Sequence, residues 1–465
     1  MSAEPSFLVD GAHFFNANGT GIASYARTLA NTLRVLRASV AVLYGRQIIA
    51  QKNDAPLALT TQLFGNPAGD NAIHKLLNAA SRVLHAHAPF GGAVRAREIS
   101  QAGVMLASLD PPLPKADVVY NANRLYERAG YSFHVRGRLT EVRLDRPAAL
   151  AHWTSPLAVK ARGCPNIYTI HDLIPLQYPH FVLDRGGRSV HLHAAIAREA
   201  DLIVTVSEAS KQAIVDLLNV PAERVAVTYQ PTPPLPAMKR EDAERLVEAT
   251  YGLKAGQYAL FVGAIEPKKN LKRLIEAFIL ANPGIPLVLA GPLGWMYDND
   301  LRLMGIINRS SGSKLIRRLG YLPRAHVSAL LRCARFLTFP SVCEGFGLPV
   351  LEAMQLGVPV LTSNTSSLPE VAGQAAVLVD PLDVADMARG IRELAFDADL
   401  RHGLVACGHE QVQKFTEEVY RKRLAAAYAR VGVHLPVGEA RLQNESVAKI
   451  PLPSGQSNSV DGSHR

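Results

Sequence analysis

The sequence predicts an α/β chain built from two doubly wound, Rossmann-like domains, and three observations predict it. Short apolar runs alternate with stretches of helical periodicity through most of the chain. That is the pattern of right-handed βαβ units and parallel sheets. The runs also fall into two series. Between the series lies Gln230-Pro231-Thr232-Pro233-Pro234-Leu235-Pro236, whose prolines continue neither a strand nor a helix and read as a semi-rigid linker.

In chain order, the first series of strands is Phe7–Val9, Val40–Tyr44, Val118–Tyr120, Ile167–Ile170, Leu202–Val206 and Val225–Tyr229, with a helix over Ala23–Leu36. One segment, about 55–114, fits the alternation poorly and reads as a helical insertion. Its amphipathic stretch Asn71–His87 carries Ile73, Leu76, Leu77, Val83 and Leu84 on one side, with Lys75, Arg82, His85 and His87 around them. Such a helix either rests on an anionic membrane surface or packs on the N-terminal domain. The second series is Tyr258–Val262, Pro286–Ala290, Ile316–Tyr321, Arg335–Phe339, Pro359–Thr362 and Ala376–Val379. These readings set an N-terminal domain over 1–235 and a C-terminal domain over 236–412. A helix follows within 413–435 and is expected to return to the N-terminal domain. The Ser-, Gly-, Asn- and Gln-rich stretch 436–465 reads as a disordered tail.

Composition narrows the function. At 465 residues, 48% hydrophobic and 19% charged, with mean hydropathy +0.06, the chain has the make-up of a soluble enzyme with covered parallel strands. No apolar run approaches the roughly 20 residues of a spanning helix. The N-terminus lacks the parts of a signal peptide, so a cytoplasmic location is expected, with contact at the inner membrane face as an option. A net charge of +10 calls for anionic partners, either nucleotide diphosphates or a phospholipid surface. Dispersed basic residues, 6% aromatics and no nucleic-acid motif argue against nucleic acid. Cys164, Cys333, Cys343 and Cys407 have no metal-type or redox-type spacing. Cys343 reads as a small buried residue at a strand end.

Chemistry concentrates in Pro340-Ser341-Val342-Cys343-Glu344-Gly345-Phe346-Gly347-Leu348-Pro349-Val350-Leu351-Glu352. A strand leads into a loop whose glycines Gly345 and Gly347 let a ligand approach the backbone. Pro349 then fits the first turn of a helix. A strand, a glycine loop and a helix N-terminus make an anion-friendly corner. With Glu344 in the loop and Glu352 in the helix, the corner suits a polyhydroxylated ligand that also carries phosphate. Gly263 ends another strand, and Lys268 and Lys269 follow at its carboxyl end, where open α/β sheets bind ligands. Two ammonium groups there could hold a diphosphate and stabilise it as a leaving group. Gly291, and Gly320-Tyr321-Leu322-Pro323, close further strands. With Thr365-Ser366-Ser367 they are placed to surround one nucleotide, although each could be an ordinary turn. In the N-terminal half, Gly19-Thr20-Gly21 is either a phosphate- or sugar-approaching loop or a plain turn. His171, just past the strand Ile167–Ile170, either meets a sugar hydroxyl or is a structural histidine capped by Asp172.

Taken together these residues resemble glycosyltransferase family 4, retaining enzymes of the GT-B fold that use nucleotide sugars. The likeness spans roughly residues 5–430 and is strongest over 256–380. It implies two domains facing across a cleft, with Glu344 on hydroxyls of the donor sugar and Glu352 on the ribose. It also implies Lys269 on the diphosphate and the backbone of Gly345, Phe346 and Gly347 close to sugar and phosphates. His171 matches the family histidine near the sugar C6 hydroxyl and anomeric centre, and Gly21 falls in the loop near phosphates and acceptor. Many members carry arginine directly after the glycine that ends the first C-terminal strand. Here that position is Ala264, and Lys268 is the candidate for the second positive charge. No Asp-x-Asp motif is present where a metal would need one, so neither a metal nor a cofactor is expected beyond the nucleotide-sugar co-substrate. Ala151-His152-Trp153-Thr154-Ser155-Pro156-Leu157 and the C-terminal domain look like bacterial polysaccharide mannosyltransferases. GDP-mannose is therefore the first donor expected, with a UDP-hexose or NDP-rhamnose as the alternative. The acceptor expected is a lipid-linked oligosaccharide or a growing surface polysaccharide. A GT-B nucleotide-sugar epimerase and an inert sugar-binding scaffold are the competing classes.

Overall fold

The computed structural model describes residues 6–15, 21–48, 93–99, 113–181, 187–232, 235–310 and 315–435. The stretch Asn71–His87, the loop residues before Gly21 and the stretch 436–465 lie outside them. Two compact units emerge. The first holds residues 6–206, Ser210–Pro231 and 417–435; the second holds Thr232–Thr416 with Ser207–Ala209.

In the first unit the elements run β1 (Ser6–Asp10), α1 (Gly21–Val35), β2 (Val40–Tyr44), β3 (Val94–Glu98), β4 (Val118–Asn121), α2 (Leu125–Arg136), β5 (Thr140–Leu144), β6 (Ala148–Trp153), β7 (Val159–Ala161) and β8 (Asn166–Thr169). There follow α3 (Ile174–Gln177), α4 (Arg188–Glu199), β9 (Leu202–Thr205), α5 (Glu208–Leu218) and β10 (Val225–Val227). Among the described residues they form one sheet in the order β10-β9-β8-β6-β1-β2-β4-β3-β5-β7. Every pairing is parallel except β3 with β4. The strands named from the sequence are all present. Four more were not expected. One of them, β3, falls within the segment 55–114, most of which lies outside the described residues. Val94-Arg95-Ala96-Arg97-Glu98 buries only Ala96 fully, so its charged positions face water along a strand. The central β6 was missed because alanines and a histidine carry little strand signal.

The first core gathers Trp153, Tyr120 and Tyr168, all fully buried. Two of the three polar tips are satisfied: Trp153 Nε1 donates to Asn166 Oδ1 at 3.0 Å, and Tyr168 Oη donates to the Val159 carbonyl at 2.5 Å, whereas the buried Tyr120 hydroxyl makes no hydrogen bond among the described residues.

The second unit begins with α6 (Arg240–Tyr251). It continues through β11 (Ala259–Val262), α7 (Leu271–Ala281), β12 (Leu287–Ala290), α8 (Asp298–Ser310), β13 (Ile316–Gly320), α9 (Arg324–Cys333), β14 (Phe336–Phe339) and α10 (Leu348–Gln355). Then come β15 (Val360–Ser363), α11 (Leu368–Ala372), β16 (Ala376–Val379), α12 (Val384–Phe396) and α13 (Ala398–Val412). Its strands are short, and β12, β14 and β15 are buried on both faces, as Leu-Val-Leu-Ala in β12 and Phe-Leu-Thr-Phe in β14 require. The sheet is wholly parallel in the order β13-β12-β11-β14-β15-β16. α7 buries Leu271, Leu274, Ile275 and Phe278 on one stripe. α12 is capped by Asp383, which accepts from the amides of Ala385 and Asp386.

The last helix, α14 (Glu417–Ala429), belongs to the first unit. Tyr428 stacks on Phe7, ring centres 5.9 Å apart, and its hydroxyl lies 2.7 Å from His152 Nδ1. Tyr420 meets Tyr25 edge-on. Among the described residues no helix is long and apolar enough to cross a membrane.

Candidate active site

Strand order in the second sheet reverses between β11 and β14, and open parallel sheets bind ligands outside the carboxyl ends of the strands at such a reversal. The Lys268–Lys269 loop leaves β11 there, and the Glu344 loop leaves β14. After β11 the chain forms a single 3-10 turn, Pro267–Lys269, and then Asn270 with φ 60. Asn270 is 5% exposed and fixes the turn from outside: its amide donates to the carbonyls of Pro340 (3.2 Å) and Pro381 (2.6 Å). Gly291 is required by close backbone approach. A Cβ there, at φ 154, would lie 1.9 Å from the Gly263 carbonyl oxygen.

Three charged side chains meet in this corner. Lys269 Nζ lies 2.5 Å from Glu344 Oε1 and 4.5 Å above the Phe339 ring. Lys268 Nζ lies 3.7 Å from Glu344 Oε2 and 3.6 Å from Glu266 Oε1. Burial pushes the Glu344 carboxyl up, but Lys269 and then Lys268 outweigh it and hold the group below its ordinary value. Glu266 goes the other way: burial raises it, and the two lysines offset this only in part. Glu266 was not singled out from the sequence. Cys343 beside Glu344 is 1% exposed, Ala264 brings no charge, and Lys268 stands as a second cation beside Lys269.

The loop carrying Glu344 is braced by hydroxyls. The Glu344 amide donates to Ser366 Oγ at 3.0 Å, and Ser367 Oγ donates to the carbonyls of Glu344 and Phe346 at 3.0 and 2.7 Å. Thr365 Oγ1 donates to the Val342 carbonyl at 2.9 Å. These side chains, read from sequence as part of a nucleotide surround, are thus occupied in holding the loop. Gly345 is buried, and the Phe346 ring packs edge-on against Phe415 at 5.6 Å. Gly347, φ 121, stands directly before α10, and a Cβ on it would come 2.9 Å from Leu368 Cδ2. Leu348 opens α10, and Glu352 follows one turn later. Burial raises the Glu352 carboxyl, partly countered by Arg324, whose nitrogen is 3.6 Å away. Tyr321, 59% exposed, and the half-buried Leu322 link β13 to α9.

The first unit supplies His171 just after β8. Its Nε2 lies 3.0 Å from the Thr154 carbonyl, which can only accept, so Nε2 carries the proton and Nδ1 keeps the lone pair. Tyr25 of α1 meets the ring edge-on at 4.8 Å. Burial lowers the imidazole's proton affinity by more than the bond to Thr154 and the charge of Asp172 raise it. Asp172 does not cap the ring; its Oδ1 accepts from the Ile174 amide at 3.0 Å. Gly21 is the exposed first residue of α1, with nothing within 4 Å of the place a Cβ would take. A cavity of about 1190 Å³ in this unit is lined by His171, His13, Ser155, Tyr126 and Tyr131, among others. His13 was not identified from the sequence, and Ser155 was noted only within Ala151–Leu157 and given no role; their signal was their place at strand ends. Among the described residues no cluster of three or more metal-ligating side chains occurs.

Two doubly wound units, with an acid–lysine corner at the switch point of the second, make the GT-B architecture. Residues 250–411 match the family of glycosyl transferases group 1, and residues 103–233 match glycosyltransferase family 4. The chain is 36% identical over 269 residues to O-antigen chain mannosyltransferase B of Escherichia coli, covering 56% of this chain and 69% of that protein. It is 31% identical over 260 residues to the serotype-specific mannosyltransferase WbdA of the same organism, covering 54% of this chain and 32% of WbdA. The structure of Anabaena Alr3699/HepE in complex with UDP and glucose superposes with a TM-score of 0.60 at 14% identity, covering 91% of this chain and 99% of that one. This chain belongs to the group 1/family 4 glycosyltransferases.

Proposed function

We propose that this glycosyltransferase moves a mannosyl group from GDP-mannose, with retention, to a lipid-linked oligosaccharide or a growing surface polysaccharide. The observation that carries the donor half is the Lys269–Glu344 pair at the switch point, with Lys268 beside it. In this reading Lys269 and Lys268 face the diphosphate, helped by the α10 N-terminus. Glu344 accepts hydrogen bonds from sugar hydroxyls, and Glu352 from the ribose. The backbones of Gly263, Gly291, Tyr321, Leu322, Gly345, Phe346, Gly347 and Leu348 line the nucleotide, Gly21 lies near phosphates and acceptor, and His171 meets the sugar's C6 hydroxyl.

The acceptor oxygen bonds to the anomeric carbon on the face the diphosphate leaves. The acceptor's proton passes to the departing diphosphate oxygen, so no enzyme nucleophile is needed, and the protein's part is positioning and charge stabilisation. The names of the mannosyltransferase relatives support the sugar and the polysaccharide acceptor. The UDP-bound neighbour favours a second reading, in which the donor is a UDP-hexose. Contact with an anionic membrane rests on the net charge of +10 alone.

A thermal-shift panel of GDP, UDP, ADP and TDP sugars tests the donor. Ligand at 100 times its dissociation constant adds about 2.7 kcal/mol, so one nucleotide should stand out. Equal shifts from all four would sink the assignment. Transfer by Lys269→Ala within about threefold of wild type would remove the lysine from the chemistry.

A further inference from the structure

We infer that His13 binds a hydroxyl of the acceptor, in a cavity of the first unit that takes a glycan longer than one sugar. This rests on the transferase reading above. The first sheet has its own reversal of strand order, between β1 and β6. By the same rule its ligand site lies outside the carboxyl ends of those strands. Three loops end there: Asp10 to His13 after β1, Thr154 and Ser155 after β6, and His171 after β8.

Asp10 explains why His13 is so well placed. Its fully buried carboxylate accepts from the Thr154 amide at 2.5 Å and the Ala12 amide at 3.2 Å, tying the β1 loop to the end of β6. The result sets His13 Nε2 at 2.9 Å from Ser155 Oγ. A donor–acceptor pair of imidazole and hydroxyl is matched to a sugar hydroxyl, which must both give and receive a hydrogen bond. The cavity above the pair, about 1190 Å³, exceeds the roughly 300–1,000 Å³ of pockets for drug-sized ligands. Tyr126 and Tyr131 give it aromatic faces of the kind a sugar ring packs on. Among the other polar groups lining the cavity, Glu127 bonds Arg124, Asp172 accepts from the Ile174 amide, and His193 bonds the Ser189 carbonyl. His13, Ser155 and His171 are the lining groups that stand at the carboxyl ends of the strands beside this reversal.

The test compares His13→Ala, His13→Gln and Ser155→Ala in the full chain, with the sugar nucleotide that shifts wild type and a mannose di- or trisaccharide acceptor. Losing one ligand hydrogen bond is expected to raise the acceptor KM of His13→Ala about tenfold. The donor-induced thermal shift should stay as in wild type. His13→Gln, whose amide still gives and receives a hydrogen bond, should recover most of the loss, and a trisaccharide should bind more tightly than mannose. An acceptor KM unchanged in His13→Ala overturns the inference, as does a donor shift lost alongside it. Should His13→Ala not fold, Ser155→Ala, which removes one hydroxyl, decides by the same KM. A wild type that binds no sugar nucleotide sinks the transferase reading, and this inference with it.

Discussion

Replacing Lys269 with alanine should expose how the acid–lysine corner is balanced. Glu344 and Lys269 side chains are only 10% and 12% exposed. At an effective dielectric constant near 20, the 2.5 Å contact corresponds to an attraction of about 7 kcal/mol, and Lys268 at 3.7 Å to about 4.5 kcal/mol. Most of each offsets desolvation. Removing one partner of a buried pair costs about 3–5 kcal/mol, because the other charge is left stranded. Since Lys268 remains, the lower end applies, about 3 kcal/mol, or roughly 6–12 °C in the second unit's melting temperature. The sign with pH follows from Glu344, whose carboxyl sits below its ordinary value of 4.5. Its stabilisation is present above that value and is lost as pH falls through the lower native one. The alanine variant lacks that benefit, so its deficit should be full at neutral pH and shrink below about pH 4.5. Denaturant unfolding of both proteins at neutral and acid pH measures this. Adding Glu344→Gln should return about 1–2 kcal/mol by removing the stranded charge. A deficit under about 1 kcal/mol, or one equal at both pH values, would refute the reasoning.

Further expectations are simpler. Gly291→Ala should lower stability by more than about 3 kcal/mol, seen as lost soluble yield, whereas Gly21→Ala should leave the melting temperature within a degree or so. The His171 imidazole should titrate below its ordinary 6.5, so any stability it contributes persists above that value and fades as pH falls. An imidazole proton resonance assigned with His171→Gln checks this, and a midpoint at or above 6.5 contradicts it. Transfer should survive excess EDTA within about twofold; loss that magnesium or manganese restores would assign the charge on the diphosphate to a metal instead.

Much of the fold could be read from the chain because many of its strands are buried on both faces, where runs such as Phe-Leu-Thr-Phe leave no ambiguity. The strands that escaped, β3, β5, β6 and β7, are charged and alternating, alanine-rich, or three residues long. Missing β6 concealed the first unit's switch point, and with it the placement of His13 and Ser155. In the second unit the loops named from sequence do converge, because Lys269 and Glu344 leave strands adjacent in the sheet. What the letters alone could not convey is which polar groups are already occupied. Ser366 and Ser367 looked available to a ligand and are committed to the backbone, and Asp172 accepts from the Ile174 amide rather than capping a histidine.

The seating of α14 sets an order of biosynthesis. Tyr428 closes over Phe7 and satisfies His152, a buried imidazole whose proton affinity burial drives down to about 3. The chain leaves this unit at Pro231 and returns at Glu417. On a ribosome adding about 5–20 residues per second, those strands wait on the order of 10–40 seconds for their last helix. During that interval the whole second unit has emerged and can fold. The enzyme's first-made half is therefore its last to be finished, and until then the ring that will cover His152 has yet to be translated.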